Sequence, residues 1–325
     1  MRTLSAMSDL EARRLGDGAL QVSVVGVGCN NFGRRLDAAG AAKVVHAALD
    51  EGITFFDTAD IYGSGQSEEM LGAALEGRRD TAVIATKFGM NMGGGDRRGG
   101  SRRWIRIAVE DSLRRLGTDR IDLYQLHTPD PETPIEETLR VLTELVSEGK
   151  VRCAGSSNFG GWQIADADWM ARTQGLTRFV SAQNSWSLLD RAVEAEVIPA
   201  CAYFSVGMIP YSPLANGLLT GKHRRGQPPV PGTRLAGAPS LGAGWLTDSN
   251  FDRVEALERF ARDRDLSLLD IAVGWLAAQP QVVSVIAGAM SPDQVRANAR
   301  AGRWRPSAVD LEELDGIAPS RLARG

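Results

Sequence analysis

Eight short apolar segments recur along the chain, each rich in Val, Ile, Phe or Tyr and each bounded by turn residues. Segments of this length and composition predict β-strands. Most are apolar at nearly every position, which is typical of strands buried on both faces of a parallel sheet. The predicted strands are Val22–Gly28, Thr54–Asp57, Ala82–Lys87, Ile121–His127, Val151–Ser156, Phe179–Gln183, Met208–Tyr211 and Val282–Ala287.

The segments between these strands carry apolar residues at the 3.6-residue spacing of an amphipathic helix. The predicted helices are Ala41–Glu51, Ser67–Leu75, Arg103–Leu116, Pro134–Glu148, Trp162–Thr173, Arg191–Phe204 and Pro292–Ala301. Eight strands that alternate with helices favour closure into a (β/α)8 TIM barrel, and such a barrel uses 250 or more residues as one domain. We therefore expect residues 1–325 to form a single α/β barrel domain, preceded by a short N-terminal hairpin.

Two connections are rich in glycine and lack a periodic pattern. The longer one runs from Ser212 to about Asn250, and the shorter one is Gly89–Gly100, after the third strand. Loops of such length in compact domains are commonly lids or binding loops. Because both follow the ends of predicted strands, we expect both to overhang the active site at the C-terminal rim of the barrel.

Charge and cysteine content exclude several classes of function. The formal net charge is −3 and no basic block is present, which argues against nucleic-acid binding. The cysteines at 29, 153 and 201 form no Cys-x-x-Cys pair, so the sequence supports neither a disulfide framework nor a zinc site. No apolar run reaches the roughly 20 residues that span a bilayer, and the N-terminus has no signal-peptide pattern. We expect a soluble, cytoplasmic protein.

Ionisable residues lie at the ends of three consecutive predicted strands. Asp57, Lys87 and His127 end the second, third and fourth strands, and Tyr62 follows the second. Each alone has an ordinary structural explanation: a helix cap, a solvated charge or a core histidine. In a barrel, however, these strand ends meet at one rim, which is where such folds carry their active sites. The combination therefore predicts a catalytic site.

These four residue types suit the reduction of a carbonyl group. Transfer of a hydride to a carbonyl leaves an alkoxide that needs a proton. A tyrosine can supply that proton, and a nearby lysine cation stabilises the tyrosinate and lowers its pKa. An aspartate holds the lysine charged, and a neutral histidine can donate a hydrogen bond to the carbonyl oxygen.

The motifs around these residues resemble the aldo-keto reductase superfamily. They are DTADIYGSGQSEEMLG around Asp57 and Tyr62, IATKFG at Lys87 and DLYQLH at His127. The resemblance continues through GSSNFGGWQ (155–163), FVSAQNSWSLL (179–189), PYSPLANGLLTGK (210–222) and VIAGAMSPDQVRANA (285–299), and it covers about residues 15–302. It implies that Tyr62 is the general acid, that Lys87 and Asp57 tune it, and that His127 positions the carbonyl.

The same resemblance implies a bound NADPH. In it, Ser157, Asn158 and Gln183 hydrogen-bond the nicotinamide carboxamide, and Tyr211 stacks on the nicotinamide ring. Ser212, Leu214 and Gly217 line the pyrophosphate, residues 212–249 fold over the dinucleotide, and Gly288, Gln294 and Asn298 surround the adenosine end.

Four positions depart from the family pattern or bear on cofactor preference. Ala287 stands where many relatives have proline, and Met290 where many have serine or lysine beside the 2′-phosphate. Arg296 is a candidate to compensate or is a solvated helix residue, so use of NADH as well as NADPH stays open. Trp186 replaces a common tyrosine, either as an apolar wall beside the cofactor or as barrel packing.

The leading hypothesis is an NADPH-dependent reductase of aldehydes or ketones, or an oxidant of the matching alcohols or aldoses, acting on a small carbonyl substrate. One alternative is an NADPH-binding regulatory protein with slow turnover, as in the potassium-channel β subunits. Another is a metal-assisted barrel hydrolase with Asp57 and His127 as ligands, which needs more ligands at strand ends than this chain offers. Loop composition does not encode a ligand, so the individual substrate, the direction of reaction and the oligomeric state stay open.

Overall fold

A computed structural model describes residues 10–320, and it confirms the predicted (β/α)8 barrel. Eight parallel strands lie side by side in the order β10-β3-β4-β5-β6-β7-β8-β9. The two end strands approach each other through an isolated bridge between Met208 and Val282, which brings the sheet round into a nearly closed barrel. The barrel strands are β3 (Val25–Gly28), β4 (Phe55–Asp57), β5 (Val83–Phe88), β6 (Ile121–Leu126), β7 (Val151–Ser157), β8 (Phe179–Ser185), β9 (Gly207–Tyr211) and β10 (Val285–Gly288).

Residues on each strand alternate between the barrel interior and the helix layer, because successive side chains of a strand point to opposite faces. In β4, Phe56 packs among the residues of the helix layer, whereas Phe55 belongs to the apolar cluster inside the barrel. Asp57 follows Phe55 by two residues and therefore points to the interior at the carboxyl end of the strand. The same alternation places Lys87, two residues after Ala85, inside the barrel at the end of β5.

Helices surround the barrel, and several begin and end where the sequence places caps. In α3, the side chain of Ser101 accepts a hydrogen bond from the amide of Trp104, and Gly117 ends the helix in a left-handed conformation. The helices are α1 (Ala38–Asp50), α2 (Gln66–Ala74), α3 (Arg102–Leu116), α4 (Ile135–Ser147), α5 (Gly161–Gln174), α6 (Val197–Phe204), α7 (Arg234–Gly237), α8 (Pro239–Trp245), α9 (Asp248–Arg262), α10 (Leu268–Ala277), α11 (Pro292–Ala301) and α12 (Ala308–Ile317).

The predicted N-terminal hairpin is confirmed, but the first predicted strand is two strands. β1 (Ala12–Arg14) pairs antiparallel with β2 (Gln21–Ser23), and the barrel begins only at β3. Val24 lies between the two strands, and the hydroxyl of Ser23 before it donates to the carbonyl oxygen of Val25 and accepts from the amide of Thr54. The last predicted strand is also shorter, since β10 begins at Val285 rather than at Val282.

The hairpin closes one end of the barrel. Its residues Leu15, Leu20 and Val22 are buried, and they belong to the same apolar cluster as Phe55 of β4 and Leu123 of β6. The rim with the strand ends Asp57 and Lys87 therefore lies at the opposite end.

Five helices were missing from the sequence prediction, namely α7, α8, α9, α10 and α12. Helix α10 is buried at every position from Leu268 to Ala277 except Leu269, which is half-buried, so it has no polar face from which a helical period could be recognised. A capping box between Ser267 and Asp270 does mark its start. In α9, the buried residues Phe251, Val254 and Leu257 follow a helical period that the sequence already contains.

Two further segments differ from the prediction in detail. The predicted helix Arg191–Phe204 is a 3₁₀ turn, Ala192–Glu194, followed by α6. Pro199 lies in the first turn of α6, where its missing N–H costs no helical hydrogen bond. In a continuous helix from Arg191, Pro199 would lie in the interior and one hydrogen bond would be lost. The long segment after Tyr211 is not free of helix, because it contains a 3₁₀ turn, Ala215–Thr220, and the short helices α7 and α8. None of the helices within residues 10–320 combines the length and the apolarity that crossing a bilayer demands.

Candidate active site

A cavity of about 460 Å³ lies at the rim formed by the carboxyl ends of the strands. Three of the four predicted catalytic residues line it, and Lys87 lies directly behind Asp57. The lining residues are Gly28, Asn30, Asn31, Arg34, Arg35, Asp57, Tyr62, His127, Ser157, Asn158, Gln183, Tyr211, Ser212, Pro213, Leu214, Asn216, Gly217, Arg234, Ile286 and Gly288. The structure thus brings together most of the residues singled out from the sequence.

Asp57 and Lys87 form a buried ion pair. The Lys87 Nζ lies 2.6 Å from Asp57 Oδ2 and also donates to the carbonyl oxygen of Thr58 at 2.8 Å. The Lys87 side chain is 0% exposed and the Asp57 side chain is 4% exposed. Burial acts to lower the pKa of Lys87, but Asp57 and Tyr62 outweigh it and hold that pKa above its usual value. Lys87 therefore stays charged at neutral pH.

Two glutamine side chains hold the other oxygen of Asp57. Gln183 Nε2 donates to Asp57 Oδ1 at 2.7 Å, and Gln125 Nε2 does so at 3.4 Å. The resemblance implied a role for Gln183 toward the cofactor, and the structure shows that its amide nitrogen holds the Asp57 carboxylate. Sequence reasoning missed Gln125, although a polar residue two positions before His127, on the same face of the strand, was a usable signal.

Tyr62 begins a 3₁₀ turn, Tyr62–Gly65, directly above Lys87. The Lys87 Nζ lies 5.1 Å from the centre of the Tyr62 ring, and the His127 ring lies edge-on to it at 5.8 Å. Burial raises the pKa of Tyr62, and the opposing effect of Lys87 does not cancel it, so the pKa lies above its usual value. The sequence-based expectation of a lowered pKa was wrong in direction for this structure because it omitted desolvation. Tyr62 consequently holds its proton at neutral pH.

His127 is neutral at physiological pH. Burial, assisted by the charge of Lys87, lowers the pKa of His127 to about 3. Within residues 10–320 the Nδ1 atom is buried without a hydrogen-bond partner. A neutral imidazole carries one N–H donor, which is the group that a carbonyl oxygen in the cavity would require.

A hydrogen-bonded group of three polar side chains extends from His127 across the cavity. Asn158 Nδ2 donates to the carbonyl oxygen of His127 at 2.9 Å and to Ser157 Oγ at 3.2 Å. Tyr211 donates its hydroxyl proton to Asn158 Oδ1 at 2.7 Å. Both amide protons of Asn158 are thus engaged, while Oδ1 can accept one further hydrogen bond. Asn158 Oδ1 is therefore available to accept a hydrogen bond from an amide group of a ligand in the cavity.

The segment after β9 forms a further part of the cavity wall. We call residues 212–249 the strap. Ser212, Ala215, Asn216 and Gly217 have positive φ angles of 55°, 47°, 57° and 100°. Consecutive left-handed residues such as Asn216 and Gly217 turn backbone amides toward one side and form concavities suited to anions. Arg234 of α7 donates to Asn216 Oδ1 at 3.3 Å, so a cation lies beside this concavity.

Two contacts hold the strap in place. Arg225 forms ion pairs with Asp248, Asp252 and Glu255, all of which belong to α9. Arg35 donates from Nη2 to the carbonyl oxygen of Gly232 at 2.6 Å, across the cavity mouth.

The residues expected at the adenosine end are only partly in the cavity. Gly288 lines it, whereas Gln294 and Asn298 do not. Gln294 Oε1 accepts a hydrogen bond from the amide of Met290 at 2.7 Å, and Asn298 is buried in α11. Arg296 pairs with Asp293 of its own helix at 2.8 Å, in keeping with a helix-surface residue.

Two other sequence interpretations are resolved by the structure. Trp186 packs edge-on against Trp275 at 5.7 Å and donates to Glu194, so it is a barrel-packing residue. The segment Gly89–Gly100 contributes no residue to the cavity lining, in contrast to the expectation that it overhangs the site. It is tied instead to the loop after β6, since the amide of Gly100 donates to Asp130.

A buried carboxylate that the sequence did not suggest lies two residues before Tyr62. Asp60 is 1% exposed, and within residues 10–320 neither of its carboxylate oxygens has a hydrogen-bond partner. Burial and the nearby Glu68 raise the pKa of Asp60 to about 7. The charge on Asp60 is thus disfavoured in the folded state.

We expect Asp60→Asn to remove a pH-dependent loss of stability. The folded pKa of about 7 lies above the unfolded value, so the wild-type protein loses stability as the pH rises from about 4 to about 7. A shift of roughly 3 pKa units corresponds to at most about 4 kcal/mol. Urea unfolding at pH 5 and pH 8 measures the difference, with the surface variant Asp119→Asn as the control. Equal pH dependence in wild type and Asp60→Asn would contradict this assignment.

Comparison with known proteins agrees with the fold. A sequence profile of the aldo/keto reductase family matches residues 24–319. A probable voltage-gated potassium channel subunit beta of Oryza sativa subsp. japonica is 33% identical, over 97% of this chain and 98% of its own. An uncharacterized oxidoreductase of Bacillus subtilis (strain 168), YrpG, is 36% identical over 95% of this chain and 96% of its own.

A further relative, the aldo-keto reductase YhdN of the same bacterium, is 32% identical over 97% of this chain and 95% of its own. Among the described residues 10–320, no three His, Cys, Asp or Glu side chains are grouped as a metal site requires. The barrel, the grouping of Asp57, Tyr62, Lys87 and His127 at its rim, and a profile match over most of the chain lead to one conclusion. The chain belongs to the aldo/keto reductase family of NAD(P)H-dependent oxidoreductases.

Proposed function

We propose that this protein reduces aldehydes or ketones, or oxidises the matching alcohols or aldoses, with NADPH as the hydride donor and Tyr62 as the proton donor. The observation that carries the proposal is the buried Asp57–Lys87 pair beside a protonated Tyr62 and a neutral His127. All four residues lie at one cavity, where a carbonyl oxygen can meet both the phenol and the imidazole.

The cavity lining fits a phosphorylated dinucleotide. Guanidinium groups and the left-handed turn at Gly217 suit phosphates, and the free acceptor on Asn158 and the ring of Tyr211 suit a nicotinamide carboxamide and ring. When bound, NADPH supplies a hydride to the carbonyl carbon. The residues that would hold it are Ser157, Asn158, Gln183 and Tyr211 at the nicotinamide, Ser212, Leu214 and Gly217 at the pyrophosphate, and Gly288 at the adenosine, whereas Gln294 and Asn298 lie outside the cavity lining.

The protein's own residues handle the proton. Tyr62 keeps its proton until negative charge develops on the substrate oxygen, and it then donates that proton to the oxygen. The tyrosinate left behind is stabilised by the charge of Lys87, which Asp57 holds in place at 2.6 Å. His127 donates a hydrogen bond that orients the carbonyl and stabilises the same developing charge.

Consumption of NADPH by the purified protein against a panel of aldehydes, ketones and aldoses tests the proposal, with NADH in parallel. We expect turnover with NADPH, because Tyr62 and His127 line the same cavity and can both reach a carbonyl oxygen placed there. Binding of NADPH without turnover of any carbonyl would overturn the reductase assignment.

A second candidate function is that of a nucleotide-binding regulatory protein with slow turnover. The observation that favours it is the 33% identity over nearly full length to a probable potassium channel subunit beta. Such a protein would retain NADPH through purification and oxidise it in a slow single turnover. Rapid release of NADP⁺ and steady-state turnover would exclude this candidate.

A further inference from the structure

Three arginines line the cavity and none of them pairs with a carboxylate among residues 10–320. They are Arg34, Arg35 and Arg234. Most other arginines of residues 10–320 pair with acidic neighbours; Arg264, for example, pairs with both Asp310 and Glu313. An arginine that faces a cavity without an acidic partner is available for an anionic ligand.

The charge balance of the cavity leads to the same conclusion. The acidic side chain in its lining is Asp57, whose charge is already compensated by Lys87. His127 adds no charge at neutral pH, because its pKa is about 3. The three guanidinium groups therefore leave the cavity with a surplus of positive charge, and a ligand with several negative charges fits it best.

The arginines belong to two different walls. Arg234 lies on the strap beside Asn216, next to the turn that suits a pyrophosphate. Arg34 and Arg35 lie on the loop between β3 and α1. The backbone of this loop packs closely against the turn that begins at Tyr62. A Cβ atom placed on Gly33 of the loop would lie 2.5 Å from the Cβ of Gln66, and one placed on Gly63 of the turn would lie 3.1 Å from the carbonyl oxygen of Phe32.

The loop that bears Arg34 and Arg35 is compact. The carbonyl oxygen of Asn31 accepts hydrogen bonds from the amides of Arg34, Arg35 and Leu36, at 3.2, 2.9 and 3.0 Å. Phe32 is fully buried and anchors the loop. The two guanidinium groups are thus presented from a fixed backbone, which lowers the entropic cost of binding an anion with them.

We propose that Arg34 and Arg35 form a subsite for an anionic substituent, a carboxylate or a phosphate, on the carbonyl substrate. The inference rests on the proposed reductase function and names its substrate class. Arg34 makes no side-chain hydrogen bond within residues 10–320, and Arg35 uses only Nη2, toward Gly232. Each therefore has donors left to bind carboxylate or phosphate oxygens.

The test compares matched substrates that differ in one charged group. The pairs are 4-carboxybenzaldehyde against 4-methylbenzaldehyde, and glyceraldehyde 3-phosphate against glyceraldehyde, each with saturating NADPH. We expect kcat/KM of the wild-type protein to be at least about tenfold higher for the charged member, and this ratio to fall as salt screens the charges. The relative size of the effect in the two pairs shows whether carboxylate or phosphate is preferred.

In the double variant Arg34→Gln/Arg35→Gln, we expect the charged-to-neutral ratio of kcat/KM to fall at least about tenfold. The control variant is Arg14→Gln, which removes an exposed arginine from the hairpin at the other end of the barrel and should keep the wild-type ratio. A ratio near one in the wild type would overturn this inference while leaving the reductase function intact.

Two other outcomes would also overturn it. If the double variant raises KM for NADPH and lowers turnover of charged and neutral aldehydes alike, the two arginines bind the cofactor instead of the substrate. If the wild type turns over no carbonyl at all, the reductase function itself is wrong and the substrate subsite falls with it.

Discussion

Tyr62→Phe is expected to lower kcat/KM for carbonyl reduction by about 10²- to 10⁴-fold, the range that a positioned general acid contributes. The phenyl ring keeps the contacts of the tyrosine ring with Lys87 and His127, so the fold of the site should persist. What is lost is the proton that the raised pKa keeps on Tyr62 at neutral pH. Steady-state kinetics with varied aldehyde and saturating NADPH measure the loss in kcat/KM, and fluorescence titration measures NADPH binding.

NADPH affinity of the Tyr62→Phe variant should stay close to that of the wild type, because the residues proposed to hold the cofactor are unchanged. The control is Tyr203→Phe, since Tyr203 is 82% exposed on α6 and remote from the cavity. Wild-type turnover in Tyr62→Phe would show that the proton comes from another group.

Lys87→Met is expected to destabilise the protein by about 3–5 kcal/mol, since it leaves the buried Asp57 carboxylate without its cation. Among residues 10–320, the other side chains that contact the Asp57 carboxylate are Gln125 and Gln183, which offer only amide hydrogens and no compensating charge. Urea or thermal unfolding of the purified variant measures the loss.

The double variant Asp57→Asn/Lys87→Met should recover part of that stability, because no unpaired charge remains in the barrel. The matched control is Lys150→Met. Lys150 also forms two ion pairs, with Glu110 and Glu148, but it is partly exposed and should change stability by about 1 kcal/mol or less. A similar loss of unfolding free energy in Lys87→Met and Lys150→Met would show that the buried Asp57–Lys87 pair contributes no more to stability than an exposed ion pair.

The fold could be predicted because a barrel of this kind leaves a strong pattern in its sequence. Strands buried on both faces are apolar throughout, and the amphipathic helices between them show a clear period. The same reasoning fails for α10, since a helix buried on all sides has no period to detect. The break between β2 and β3 was also not predicted, and the Ser23 hydroxyl beside it accepts from the amide of Thr54, which is distant in sequence.

The grouping of the candidate catalytic residues was predictable from their positions at or just after strand ends, but their electrostatics were not. Whether the pKa of Tyr62 rises or falls depends on the balance of burial against the charge of Lys87, and burial is a property of the folded molecule. Asp60 and Arg34 were overlooked for a related reason. Asp60 is notable because its carboxylate lacks a hydrogen-bond partner, and Arg34 because it lines the cavity without an acidic partner, both within residues 10–320. Such missing contacts can be recognised only in the folded molecule.

The hairpin at the base of the barrel has a consequence for how the domain is delimited. The profile match begins at residue 24, yet Leu15, Leu20 and Val22 belong to the apolar cluster inside the barrel. A chain trimmed to the matching residues would expose Phe55 and Leu123 to water at a cost of roughly 25 cal/mol for each Å² uncovered. The folding unit therefore begins before residue 24, where the family profile begins.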